Sequence, residues 1–295
     1  MKNSRISDPL FREAVEAIDT GNIILLQQLL ETNADLATKR LDTPNEEGYF
    51  KNPYLLWFIA DNPIRHEKLP ANIVDVTKIL IEALKKGNDS NYQHIIDYTL
   101  GLVCTGRIPK ECGVQIPLME LLISEGASVK GSVLGPIGQH NFEAAKFLLD
   151  KGSDYNLATA VGFDKIGDIQ RLVKTATASE LYVALVVASY FGMAGIISLL
   201  IKAGADVNGS GSKEEFGGFH SHASPLHQAV SSGSLEAIKL LVKVGANLNA
   251  TDKVYNGTPL GWAKHMQEEE NDKIKKEKYK EIENYLYSNQ NRSIT

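Results

Sequence analysis

The chain is 295 residues long, 43% hydrophobic and 23% charged, with a net charge of −5. That composition excludes a disordered or collagen-like chain, and the length allows one large domain or two ordinary ones. Thirty-one basic against thirty-six acidic residues leave no basic excess to match a phosphate backbone, and the two cysteines, Cys104 and Cys112, are too few for a disulfide framework or a four-cysteine zinc site.

No apolar segment follows the basic residues of Met1 to Pro9, so no signal peptide is expected. Apolar residues at three- and four-residue spacing predict paired helices along the chain. The first pair is expected near 10–19 and 23–32. The second uses 53–61 and 73–83, separated by DNPIRHEKLPAN (61–72), whose two prolines and lack of apolar period mark a loop insertion. The third uses 92–105 and 114–124, with a connection that holds the cysteines. The fourth and fifth are short, their turn positions His140 and Gly167 standing 27 apart. The sixth covers 178–208. Within it, Leu181 to Ile201 carries no charge over about the length of a bilayer span, but Gly192 and Gly195 interrupt it and a helix stop follows. Two buried helices back to back are expected there. The seventh pair covers 219–250 and is preceded by an insertion, GSGSKEEFGG, at 209–218. The last runs from 253 onward, its helices split by QEEENDKIKKE at 267–277, with Ile282, Tyr285 and Leu286 as an inner stripe. That charge run suits the unneighboured end of a stack.

Residues 224–250, SPLHQAVSSGSLEAIKLLVKVGANLNA, give each position a job. Ser224, like Thr258, can cap a helix that starts at Pro225 or Pro259. Gly233 turns the chain into a second helix with the stripe Ile238, Leu241 and Val242, and Gly245 ends it. This segment resembles the ankyrin-repeat family. Weaker copies in phase stand at 14–36, 116–129, 142–156, 185–208 and 257–263. The likeness is strongest over 178–263 and weakest over 39–113. It implies an all-α ankyrin-repeat solenoid of seven to eight helix-turn-helix repeats with short hairpin loops, one domain over 1–295 with a C-terminal capping repeat at 253–287. It also implies that His227 hydrogen-bonds backbone within the stack.

The enzyme motifs are missing. There is no GxxxxGK[ST], GxSxG, HExxH, CxxC or EF-hand pattern. Cys104 with His94 or His140 reads as packing rather than a thiol–imidazole pair. His220, His222 and His227 fall within eight residues, but no acidic or cysteine ligand stands at a matching spacing, so no metal and no cofactor is expected. What the resemblance implies is non-catalytic protein binding through the concave face of the stack, built from hairpin tips and first-helix faces. By position that face holds Asp19, Thr20 and Gln139, and then the expected contact set. This set is Lys165, Ile166, Tyr190, Phe191, Phe216, Phe219, His220, His222, Ser231, Ser232, Tyr255, His265 and Met266. Aromatic residues gather in its later repeats, as binding hot spots do, although Tyr190 and Phe191 could equally be footing for the 209–218 insertion. The partner is expected to be another protein, with no nucleic acid and no membrane, and the chain a monomer. The motif YNGTPLGWA at 255–263 is closer to bacterial ankyrin proteins, and a cytoplasmic place is expected, with delivery to a host as the variant. The alternatives are a small-molecule or enzymatic site in the irregular 39–113 region, around Trp57, His66, His94 and Cys104, and a homo-oligomeric structural protein.

Overall fold

A computed structural model describes residues 6–43, 51–88, 90–131, 133–209 and 219–292. The described residues are helices and turns, with one isolated antiparallel bridge between Arg40 and Tyr54. They divide into two compact units, Met1–Ser132 with Glu143–Gly152, and Val133–Phe142 with Ser153–Thr295.

In the first unit α1 (Pro9–Thr20) begins where the Asp8 carboxylate accepts from the Leu10 and Phe11 amides at 3.0 and 3.1 Å, with proline at its first position. It ends at Gly21, whose φ of 67° is left-handed, and a Cβ there would run into the Asn72 side chain that donates to the Gly21 carbonyl at 2.9 Å. α2 (Ile23–Thr32) follows. The helix expected at 53–61 is instead a 3-10 turn, Leu55–Ala60, buried at every residue. Asp61 stops it. Its backbone turns left-handed at φ 47° and its buried carboxylate accepts from the amides of Arg65, His66 and Glu67 at 3.0, 3.3 and 2.9 Å.

The remaining helices of this unit are α3 (Ile73–Lys86), α4 (Tyr92–Thr105), α5 (Arg107–Glu111), α6 (Gln115–Ser124) and α8 (Phe142–Asp150, from Glu143 on). Two rows result. α1 packs on the 3-10 turn and the turn on α4, while α2 packs on α3 and α3 on α6. The residues of the irregular region serve this core. Trp57 is 4% exposed, stacks on Tyr98 at 4.1 Å and donates to the Ile95 carbonyl at 3.4 Å. The His94 ring stands edge-on to Trp57 at 6.0 Å. Cys104 is buried, and burial pushes its thiol up to about 12. Gln115, also buried, donates to the Val103 carbonyl at 2.8 Å.

Residues 61–72 are not a loose insertion. The Arg65 guanidinium, 1% exposed, donates to both oxygens of Asp19 at 3.2 and 2.6 Å and to the Phe58 carbonyl at 2.9 Å, and lies over the Phe58 ring. His66 approaches the same carboxylate at 3.1 Å. Asp19, expected on a binding face, is thus engaged within the fold.

In the second unit the helices are α7 (Leu134–Gly138), α9 (Leu157–Gly162), α10 (Ile166–Leu172), α11 (Ala178–Tyr190) and α12 (Ala194–Lys202), then α13 (Pro225–Ser232), α14 (Leu235–Lys243), α15 (Pro259–Glu269) and α16 (Lys273–Arg292). α11 is buried at every residue from Leu181 to Ser189, so the uncharged run is a core helix followed by a turn at Gly192, φ 65°, and a second helix. Among the described residues no helix is long and apolar enough to cross a membrane. α9, α11, α13 and α15 pack side by side in one row, and α12, α14 and α16 in another.

The last pair departs from its neighbours. α15 and α16 have 11 and 20 residues where α13 and α14 have 8 and 9. Most of the charge run expected to split them is helical, with only Glu270–Asp272 between. The buried Ile282 and Leu286 stand at and just past the middle of α16, so its first turns reach past the layer that they anchor.

Two outcomes follow for the first unit. Arg65→Met removes the two-pronged guanidinium donor from the buried Asp19 carboxylate and should lower stability by about 3 kcal/mol in urea unfolding followed by circular dichroism. An unchanged midpoint would show that the loop is not held by this pair. A thiol reagent followed by intact mass should label Cys112 first, with Cys104 reacting only on unfolding.

Candidate partner-binding groove

Each first helix must reverse tightly into its second, and the reversal needs a left-handed residue. In the second unit that residue is His140 after α7 (φ 52°), Asp164 after α9 (φ 53°), Gly192 after α11 (φ 65°) and Gly233 after α13 (φ 70°). A Cβ at Gly192 would meet Ser234 at 2.7 Å, and Ser234 Oγ donates to the Gly192 carbonyl at 3.2 Å, so consecutive turns touch. The residues just before the turns therefore stand side by side at the helix ends.

There Tyr190, Phe191, Ser231 and Ser232 line a groove of about 400 Å³ with His140, Glu270, Lys275, Lys278 and Tyr279. The Tyr190 hydroxyl donates to the Gly138 carbonyl at 3.0 Å and its ring meets Phe191 edge to face at 5.2 Å. His140 stands perpendicular to Phe191, also at 5.2 Å. Phe142 extends the ring strip from Phe191 to Phe163, at 6.5 and 5.7 Å. On the far wall the Tyr279 hydroxyl donates to the Ser231 carbonyl at 3.1 Å, satisfying a helix-end acceptor. Burial raises both the Tyr190 and Tyr279 hydroxyl pKa values, so both are donors at neutral pH.

Four of the thirteen expected contact residues thus share one groove. Tyr190 and Phe191 remain half-buried, with one edge in solvent. Phe219 does not belong to an exposed tip: it is 5% exposed, because its ring closes against Tyr190 at 5.1 Å and Phe191 at 6.1 Å from the core side. The pair is therefore footing for Phe219 and an open surface at once. Lys165, Ile166 and His265 are exposed and Met266 is half-buried, but none of them lines the groove. Phe216 lies outside the described residues. His140, Phe142, Phe163, Lys275, Lys278 and Tyr279 were missed. The available signal was the length of the last helix pair.

His220, His222 and Tyr255 gather elsewhere, around Trp262. The His220, His222 and His227 ring centres lie 5.4, 5.9 and 5.1 Å from the indole, and Tyr255, 76% exposed, stands edge-on to His222 at 5.8 Å. Asp252 organises the group. Its buried carboxylate accepts from the amides of Val254, Tyr255 and Gly257 at 2.9, 2.7 and 2.9 Å, and from Trp262 Nε1 at 3.0 Å, while His222 Nδ1 lies 3.1 Å away. Burial alone would raise its pKa, but these donors together hold it far below the usual carboxylate range. His227 is fully buried, with Nδ1 2.7 Å from Ser224 Oγ and Nε2 3.0 Å from the Gly257 carbonyl. Desolvation lowers the pKa of His227, and desolvation with the adjacent His222 lowers that of His220. The three histidines are tied into packing and hydrogen bonds. Among the described residues no group of three or more His, Cys, Asp or Glu is placed to hold a metal ion.

Both kinds of shift act in the same direction. A histidine whose folded pKa is lowered stabilises the fold above its ordinary value and loses that contribution as pH falls below about 6.5. A carboxylate whose folded pKa is lowered stabilises it above about 4 and loses that contribution on further acidification. The melting temperature should therefore fall in two stages as pH drops. Asp252→Ala should shrink the second stage and cost about 2 kcal/mol at pH 7, where it orphans several donors. A melting temperature flat from pH 7 to 3 would contradict this account.

Residues 139–252 and, overlapping them, 185–271 match the family described as ankyrin repeats (3 copies). No curated protein matches the chain. The matched residues, 139–271, hold the left-handed turns, the buried SPLH histidine and the ring side of the groove, and this part of the chain is built of ankyrin repeats.

Proposed function

We propose that the chain is a non-catalytic protein-binding module and that its partner contacts the groove at the first-helix ends of the second unit. Ankyrin repeats are in general protein-interaction modules, which supports the class of function. One observation carries the location: the half-exposed Tyr190 and Phe191 rings at the end of α11 stand beside His140, in a groove walled by α16. Large rings with a solvent edge beside small hydroxyls are the composition of binding hot spots. We read α9 with α10, α11 with α12, α13 with α14 and α15 with α16 as successive repeats of the second unit. Of the remaining expected contacts, Lys165, Ile166, His265 and Met266 form the flanks of the surface in this reading, and Tyr255, His220 and His222 a separate edge.

Affinity capture from native lysate, read by mass spectrometry, tests the location. Tyr190 carries a hydrogen bond and a buried neighbour, so Phe191→Ala is the cleaner variant. A protein held by the wild type should be weakened about tenfold or more by Phe191→Ala, with Ile166→Asp giving a smaller loss and both variants folded by circular dichroism. Retention unchanged by both would move the interface away from this face. A concentration-independent monomer mass in light scattering separates this function from self-association through the same rings.

A further inference from the structure

The partner's chemistry can be read from the wall of the groove, on the footing that the groove binds protein as proposed above. That wall is made by the extra turns of the last helix pair, and α16 places Lys275 and Lys278 three residues apart on the side that faces the rings. The acids nearby are already committed. Glu270 accepts from the Asp272 amide at 2.9 Å and lies 3.9 Å from Lys275, and Asp272 accepts from the Ile274 and Lys275 amides at 2.9 and 3.0 Å. Lys278 has no carboxylate oxygen within 4.0 Å among the described residues. The helix-end carbonyl of Ser231 is taken by Tyr279 and that of Gly138 by Tyr190, so two acceptors that would otherwise attract a cation are satisfied. The groove therefore offers ammonium groups on one wall and ring surface on the other.

We propose that the groove takes an acidic segment of the partner protein, seating an aromatic or large aliphatic side chain between the His140, Tyr190 and Phe191 rings and a carboxylate of the same segment against Lys275 and Lys278. The net charge of −5 does not draw an acidic segment from a distance. The lysines act at short range, choosing which segment stays rather than how fast it arrives.

The test uses the full chain and three fluorescein-labelled decapeptides in anisotropy titrations. The first alternates glutamate and glycine around a central phenylalanine. The second has lysine for each glutamate, and the third has serine for the phenylalanine. The first should bind, and each of the others about tenfold more weakly or not at all. Lys275→Glu with Lys278→Glu should weaken the first peptide about tenfold or more and improve the second, a reversal that misfolding would not produce. Lys276→Glu does not line the groove and should leave both unchanged. The proposal is overturned if no peptide binds, if the lysine peptide binds wild type as well as the glutamate peptide does, or if charge reversal has no effect. A partner captured by the wild type, lost by Phe191→Ala and kept by the double lysine variant would leave the groove standing and remove the acidic assignment alone.

Discussion

A short helix pair has more apolar surface than it can cover by itself, and that constraint shapes each unit of this protein. α11 is the extreme case. Nine successive residues are buried, which no helix achieves against a single neighbour, and it does so by lying between α9 and α13. Sides that are spoken for in this way cannot evolve freely. Variation is left to the helix ends and the connections, which is where the groove and the histidine cluster are found.

The same constraint explains which features were legible in the sequence. The SPLHQAVSSG segment announces itself because proline, glycine and the buried histidine each have one structural task, and the structure gives them those tasks at Pro225, Gly233 and His227. The apolar stripes located the helices expected at 10–19, 23–32, 92–105 and 114–124 to within a residue or two. Three things could not be read. The helix expected at 53–61 shrank to a 3-10 turn because Asp61 binds the following backbone amides, a local competition that periodicity does not register. The loop after it looked unstructured because its anchor is a single arginine, whose partner Asp19 lies 46 residues earlier. Phe219 looked exposed because an insertion precedes it, yet aromatic area of that size is buried wherever a neighbour offers a surface.

The groove was half legible for a related reason. Repeat phase locates the residue before each turn, so Tyr190, Phe191, Ser231 and Ser232 could be named together. Phase says nothing about a wall contributed by the end of the stack. The segment 267–277 is rich enough in charge to pass for a solubilising cap, and its surface placement is compatible with that task too. Only the helix lengths show that the charges are held on an extended helix and aimed, in part, at the rings.

α16 is thus the last element of a row and a wall of the groove. Its first turns reach past the layer that Ile282 and Leu286 anchor, so they open at a lower free energy than the buried helices of the row. The helix is held to the unit by packing on α15 and α14, by Ile282 and Leu286 in the core, by the Tyr279 hydroxyl on Ser231 and by the Gln290 amide on the Leu248 carbonyl at 3.0 Å. Whatever occupies the groove therefore fastens these first turns, and their amides become an exchange-protection gauge of occupancy, slowed further the more tightly the groove is filled.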